Sequence, residues 1–253
     1  IPDALEKVLD NHNVKFVYMV PTFQNPTGRT IPLERRKRIA EIAIERDVLL
    51  IEDDPYGTLR FKGEAIPTIK SLAPDHVVYL GSFSKVFSPG LRLGYAVAPP
   101  LISTWMTLAK QGVDLHTSSL GQALAAEYLM GGHLQRQVEK IIAMYAPKQE
   151  AMLEAVAEHF PSDWHYSKPD GGMFVWAEGP EGVDTEKLYA RCVERKAAFV
   201  PGKFFYTEPT EGLATMRLNF TMASIDQIRW AVEVIADVIK ERFEVPSDQA
   251  HVD

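Results

Sequence analysis

Tyr79-Leu80-Gly81-Ser82-Phe83-Ser84-Lys85-Val86-Phe87-Ser88-Pro89-Gly90-Leu91-Arg92-Leu93-Gly94-Tyr95 is the stretch whose reading decides the fold. The apolar run Val77 to Leu80 predicts a short buried strand. It stops at Gly81 and opens into a loop of hydroxyls around one lysine, with Arg92 farther on and a second apolar run behind it. A lysine just past the end of a buried strand is expected to be partly desolvated. Desolvation lowers its pKa from about 10.4 toward about 7–8 and makes the amine a usable nucleophile. Ser82, Ser84 and Arg92 are of the types that hold a phosphate. Taken alone, the stretch also admits a solvated lysine in a Ser/Gly loop.

Working outward, Val48 to Ile51 is another buried strand, and it ends in Glu52, Asp53, Asp54, Pro55 and Tyr56. Before it, Lys15 to Val20 is a strand that ends in Pro21-Thr22-Phe23-Gln24-Asn25-Pro26-Thr27-Gly28, a run dense in turn formers. A helix lies between these two strands, with Thr30 as the expected N-cap, Pro32 in the first turn and an apolar stripe at Leu33, Ile39, Ile42 and Ala43. The basic run Arg35 to Arg38 reads as the solvated face of that helix. Thr58 to Pro74 reads as loop, and Leu93 to Ala98 as a fourth strand. This alternation predicts an α/β fold with a mostly parallel sheet.

In such a sheet, ligands bind beyond the carboxyl ends of the parallel strands. Here those ends carry Asn25, then Asp53 and Tyr56, then Ser82, Ser84 and Lys85. Each answers a need of pyridoxal phosphate. A carboxylate such as Asp53 keeps the ring nitrogen protonated. Asn25 and Tyr56 can donate to the phenolic oxygen, and Ser82, Ser84 and Arg92 can hold the phosphate. Lys85 can form the Schiff base and then move a proton as general base. Each residue also has a plainer reading: an Asx turn at Asn25, a turn cap at Asp53 or Asp54, packing at Tyr56, a surface ion pair at Arg92. The plainer readings explain poorly why all of them fall on successive strand ends.

The sequence resembles the fold-type I pyridoxal-phosphate aminotransferases of classes I and II. The resembling motifs are Asn25-Pro26-Thr27-Gly28, Asp53-Asp54-Pro55-Tyr56, Ser82-Phe83-Ser84-Lys85 with Arg92, and Met216-Arg217-Leu218-Asn219-Phe220. The resemblance implies that Lys85 is the Schiff-base lysine and that Asp53, not Asp54, contacts the pyridine nitrogen. It places Asn25 and Tyr56 on the phenolic oxygen and Ser82, Ser84 and Arg92 on the phosphate. It makes Asn25 and Arg217 substrate-binding residues, with Arg217 gripping the α-carboxylate across the cleft from Lys85. The substrates implied are an α-amino acid and a 2-oxo acid, and the complete protein is expected to be a homodimer. Asp114-Leu115-His116-Thr117-Ser118 and Val200-Pro201-Gly202-Lys203-Phe204-Phe205 look like the 2-aminoadipate and kynurenine-type subgroup. Two alternatives stay open: the aminotransferase-like domain of a pyridoxal-phosphate-dependent transcriptional regulator, and another reaction on the same cofactor, such as a β-lyase.

Past Pro99, helices are expected over Leu101 to Lys110 and Ser119 to Met130, with Gly131-Gly132 as a stop. A long helix from Leu134 to Phe160 should kink or break at Pro147. Short strands at Gly172 to Ala177, Ala198 to Val200 and Thr215 to Phe220, then a helix opened by a Ser224/Gln227 capping box, predict a smaller α+β domain. The expected division is 1–132 for the cofactor-binding domain and 133–253 for the small domain, with a frayed tail from Pro246. A net charge of −7 gives no basic field for nucleic acid. No apolar run is long enough for a membrane span. The histidines show no metal-ligand spacing, and neither a dinucleotide fingerprint nor a P-loop is present. The single cysteine, Cys192, is expected to pack inside a helix, and a reducing, cytoplasmic setting is expected with it. Because the chain opens at Ile1 on a helical pattern, it is expected to be a piece of a longer protein, with a sheet edge left unpaired and an incomplete phosphate cradle.

Overall fold

The computed structural model describes residues 2–208 and 210–241. They gather into two compact units. The first comprises residues up to Gln24, Arg29–Ile142 and Asp170–Gly172; the second comprises Asn25–Gly28, Ala143–Pro169 and the described residues from Met173 on. The division differs from a boundary near Gly132 because one helix, α6 (His133–His159), runs through it.

The first unit is built on β1 (Phe16–Met19), β2 (Leu49–Asp53), β3 (Val77–Ser82) and β4 (Gly94–Val97), in that spatial order. β1, β2 and β3 are mutually parallel, with Met19 opposite Glu52 and Asp53 opposite Leu80. β4 is antiparallel to β3. The lysine loop between them holds no crossover helix, which a parallel return requires, so the chain doubles back as a hairpin. Among the described residues, β1 and β4 pair on one side only. Tyr18, Tyr95 and Val97 on these edge strands are about half exposed.

One face of the sheet is covered by α2 (Leu33–Glu45), whose Ile39, Ala40 and Ala43 pack with Val48, Leu50, Ile69, Ala73 and Val77. Leu5 and Leu9 of α1 (Pro2–Asn11) lie against the same cluster. Two expectations about α2 are corrected. The N-cap position is Pro32, and the Thr30 hydroxyl instead accepts from the Phe23 amide at 3.2 Å. The basic run is not all solvated: Arg36 is 1 % exposed. It faces the loop before the Asn25 motif. There it donates to the carbonyls of Ile31 (2.8 Å), Pro67 (3.1 Å) and Pro21 (3.1 Å) and to the Thr22 hydroxyl (2.8 Å). The segment read as loop contains a one-turn helix, α3 (Ile69–Leu72), capped by the Thr68 hydroxyl. The rest of this unit is helical: α4 (Pro100–Val113), α5 (Ser119–Met130) and the start of α6.

In the second unit, β5 (His165–Tyr166), β6 (Phe174–Glu178), β7 (Val200–Pro201) and β8 (Thr215–Asn219) form an antiparallel sheet in the order β5-β6-β8-β7. α7 (Thr185–Glu194) and α8 (Ile225–Glu241) complete it. α6 continues through Pro147, so of the expected kink or break the break is absent. A proline removes one rung of the ladder, and Ala151, Met152, Ala155 and Val156 on the following turns are buried. The capping box forms as expected: Gln227 N donates to Ser224 Oγ at 3.2 Å, and Ser224 N to Gln227 Oε1 at 2.9 Å. Ile228, Val232, Ile235 and Ile239 of α8 are buried, whereas Ile225 is 38 % exposed. Cys192 is fully buried in α7, and burial pushes its thiol up to about 11, so it packs rather than reacts. The tail from Pro246 lies outside the described residues. No helix among the described residues is long and apolar enough to cross a membrane.

Candidate active site

The lysine loop is shaped by its own backbone. Ser82 closes β3 opposite Gly94, and its hydroxyl accepts from the Ser84 amide at 3.1 Å. The amides of Val86, Phe87 and Ser88 then converge on the Phe83 carbonyl at 3.3, 2.9 and 3.2 Å, while Phe83 N donates to Leu93 O at 3.1 Å. The result is a tight turn with Val86 pointing inward and Lys85 exposed. The expected desolvation of Lys85 is therefore absent: among the described residues nothing hydrogen-bonds or pairs with its ammonium. Arg92 follows a short 3-10 turn, Pro89–Leu91, in the left-handed region (φ 53°) and is exposed. Ser82, Ser84, Lys85 and Arg92 thus stand on one loop at the end of β3.

One strand over, the three acids at the end of β2 take three different environments. Glu52 is 1 % exposed and accepts from the amides of Ile69 (3.0 Å) and Lys70 (2.8 Å). Burial raises its pKa, and these two amides and the nearby Arg36 partly offset the shift. Asp54 accepts from the Gly57 amide at 2.9 Å and from the Tyr79 hydroxyl at 3.0 Å, and its pKa is also raised chiefly by burial. Asp54 therefore has the turn-capping role that the sequence left open between it and Asp53. Asp53 instead accepts from the Tyr18 hydroxyl at 2.6 Å. Tyr56 is buried at 7 % exposure.

In the second unit the structure joins two predicted residues that lie far apart in sequence. Arg217 Nη1 donates to Asn25 Oδ1 at 2.7 Å. Arg217 occupies the centre of β8, opposite Trp176 on one side and Val200 on the other. Its guanidinium carbon lies 4.2 Å from the Phe174 ring centroid and 5.0 Å from that of Phe205. Flat apolar rings on the guanidinium suit its weak hydration and hold its plane. The Asn25 turn is seated by Gly28, whose φ of +68° favours glycine. A Cβ there would also sit 2.9 Å from the Phe174 carbonyl oxygen.

Sequence reasoning missed Tyr18, Phe174 and Arg36. Tyr18 was one apolar letter in a strand, although the parallel pairing of β1 and β2 puts it on the same sheet face as Asp53. Phe174 lies two residues from Trp176, the register partner of Arg217. Arg36 was hidden in a run of like charges.

The donor set fits pyridoxal phosphate. A loop carries two hydroxyls, an amine and a guanidinium, and the neighbouring strand end carries a carboxylate anchored through one oxygen. Residues 2–235 match the aminotransferase class I and II family. Aromatic-amino-acid aminotransferase 1 of Thermococcus litoralis is 43 % identical over 247 residues, which cover 95 % of this chain and 59 % of that protein. The Pyrococcus horikoshii kynurenine aminotransferase, solved in complex with PMP, is 42 % identical with a TM-score of 0.92, the match covering 96 % of this chain and 61 % of that one. The α-aminoadipate aminotransferase LysN of Thermus thermophilus, complexed with N-(5'-phosphopyridoxyl)-L-leucine, is 40 % identical with a TM-score of 0.91, covering 96 % and 63 %. The chain thus spans roughly three fifths of the length of the relatives it matches.

Proposed function

Because this chain belongs to the class I and II aminotransferases, we propose that the full-length protein transfers an amino group between an α-amino acid and a 2-oxo acid. We propose as donor 2-aminoadipate or an amino acid with an aromatic or other large side chain. The observation that carries this reading is the lysine loop, Ser82 to Arg92, on the strand next to the one that ends in Asp53.

Pyridoxal phosphate, when bound, supplies a ring that draws electrons from the substrate α-carbon. The chain's residues hold it and move the proton. Lys85 Nζ takes the proton from the substrate Cα and returns it on the other side of the transfer. Asp53 keeps the ring-nitrogen proton in place by its negative charge. Tyr56 Oη and Asn25 Nδ2 serve as donors to the phenolic oxygen, the Asn25 Oδ1 being engaged by Arg217. Ser82, Ser84 and Arg92 take the phosphate. Arg217, with the Phe174 and Phe205 rings against its guanidinium, receives the substrate carboxylate as a two-pronged donor.

The proposed setting is a cytoplasmic homodimer. The exposed apolar stripe Leu101, Trp105 and Leu108 on α4 supports association with a second copy. The low cysteine usage, with Cys192 alone and no disulfide framework possible within this chain, supports a reducing compartment.

A single-turnover assay tests the chemistry. The full-length protein mixed with 2-aminoadipate or an aromatic amino acid should yield one equivalent of 2-oxo acid per active site without free ammonia. Ammonia release would favour a lyase. Borohydride reduction of the loaded protein should place the pyridoxyl label on Lys85, and a label on another lysine would overturn the assignment.

A further inference from the structure

Tyr18 lies on β1 opposite Ile51 of β2. Two residues farther along β2, on the same face, comes Asp53. The Tyr18 side chain leans along the strand direction, and its Oη donates to Asp53 Oδ2 at 2.6 Å, a short charge-assisted bond. It links two parallel strands at the end where the candidate site lies. Asp54, the neighbouring carboxylate, is turned to Tyr79 and Gly57, so each acid of the pair has its own phenol.

We infer that Tyr18 is a positioning residue for the cofactor: it fixes the rotation of the Asp53 carboxylate and leaves Oδ1 to serve the protonated ring nitrogen. The inference rests on the proposed cofactor reading. A carboxylate on a short side chain at a strand end turns freely about its last bond unless one oxygen is tied. A single phenol can tie one oxygen and no more, because it has one proton to give. Burial, then the bond to Asp53, push the Tyr18 hydroxyl up to about 12. The phenol therefore keeps its proton and remains a donor across the working range of an enzyme. A histidine or a second acid at this position would change role with pH.

Tyr18→Phe in the full-length holoenzyme removes the donor and keeps the ring. The expected result is an approximately tenfold rise in the dissociation constant for pyridoxal phosphate, read by absorbance titration, as for the loss of one hydrogen bond to a charged group. kcat should fall by a similar factor while KM for the amino acid stays within about twofold, since Tyr18 acts through Asp53 and not on the substrate carboxylate. The decisive readout is coupling. In an Asp53→Ala background, Tyr18→Phe should leave the dissociation constant unchanged within about twofold, because its only route to the cofactor is gone. Equal effects in both backgrounds would mean that the ring merely packs, and would overturn the inference while leaving the cofactor reading intact. Normal cofactor affinity in the single variant would overturn it as well. A wild-type protein that takes up no pyridoxal phosphate would overturn both.

Discussion

Replacing Arg36 with methionine tests whether the loop leading to Asn25 is held by a buried cation. The guanidinium makes four hydrogen bonds at 2.8–3.1 Å and is 1 % exposed. Burial lowers its pKa, while Glu52 and Asp54 pull it back up. Methionine fills similar space without a donor. The Pro21 carbonyl keeps a bond from the Ile31 amide, and the Thr22 hydroxyl can rotate. The carbonyls of Ile31 and Pro67 are left without a replacement donor among the described residues. Two orphaned buried acceptors cost about 1–3 kcal/mol each. The buried Glu52 also loses the cation that partly offsets its burial. The two carbonyls alone come to about 2–6 kcal/mol, a range that contains the loss of about 3–5 kcal/mol typical of removing one partner from a buried charge pair. Against a typical domain stability of about 5–15 kcal/mol, a loss of about 3–5 kcal/mol is a fifth or more. Arg36→Lys keeps the charge but not the fork, and should fall between, at about 1–2 kcal/mol. The assay is urea unfolding of the full-length protein, comparing midpoints at constant m. A loss below about 1 kcal/mol for Arg36→Met would refute the reasoning, because it would mean that water or rearrangement satisfies these carbonyls as well as the guanidinium does.

Asp53→Asn should reduce turnover far more than Asp54→Asn, on the order of 100-fold against less than tenfold, since only Asp53 is assigned to the ring nitrogen; equal losses in steady-state assays would count against it. Arg217→Lys should raise KM for the amino acid by about ten- to 100-fold, because an ammonium cannot reproduce the planar fork; an unchanged KM for every donor tested would remove Arg217 from the proposed role. Asp54 and Glu52 both have folded-state pKa values raised by burial. The folded chain therefore holds more protons than the unfolded one from about pH 4 upward to those raised values, and stability should fall as pH rises through that window. Asp54→Asn should flatten this slope in urea midpoints measured against pH, and an unaltered slope would show that the burial of Asp54 has no such effect.

The strand ends were legible because each announces itself locally. Val77 to Leu80 and Val48 to Ile51 are apolar runs stopped by a turn former or an acid, and the chemistry-bearing residues follow directly. The capping box at Ser224 was legible for the same reason, since both partners lie within one turn. The direction of β4 was not legible from its own residues; it follows from the absence of a helix in the lysine loop. Arg36 was misread because a run of four basic residues on one helix spans more than a full turn, so at least one member must point inward, and which one depends on what the helix packs against. The exposure of Lys85 was misread because desolvation depends on the walls around a side chain, and strand position alone supplies only one of them.

Two contacts, one within each unit, join candidate residues 35 and 192 positions apart: Tyr18 to Asp53 and Asn25 to Arg217. Neither pairing could be read from spacing: Tyr18 is an ordinary letter of its strand, and Asn25 and Arg217, each named from its own motif, carry no local sign of each other. They have a common form. In each, a group named from the sequence for its chemistry has one hydrogen-bonding atom engaged by a neighbour. Asp53 gives Oδ2 to Tyr18, and Asn25 gives Oδ1 to Arg217. An amide whose oxygen is already occupied can present only its N–H to a phenolic oxygen, and a carboxylate with one oxygen tied can present only the other. The residue types in the motifs therefore state which chemistry is available, and the long-range partners decide which end of each side chain delivers it.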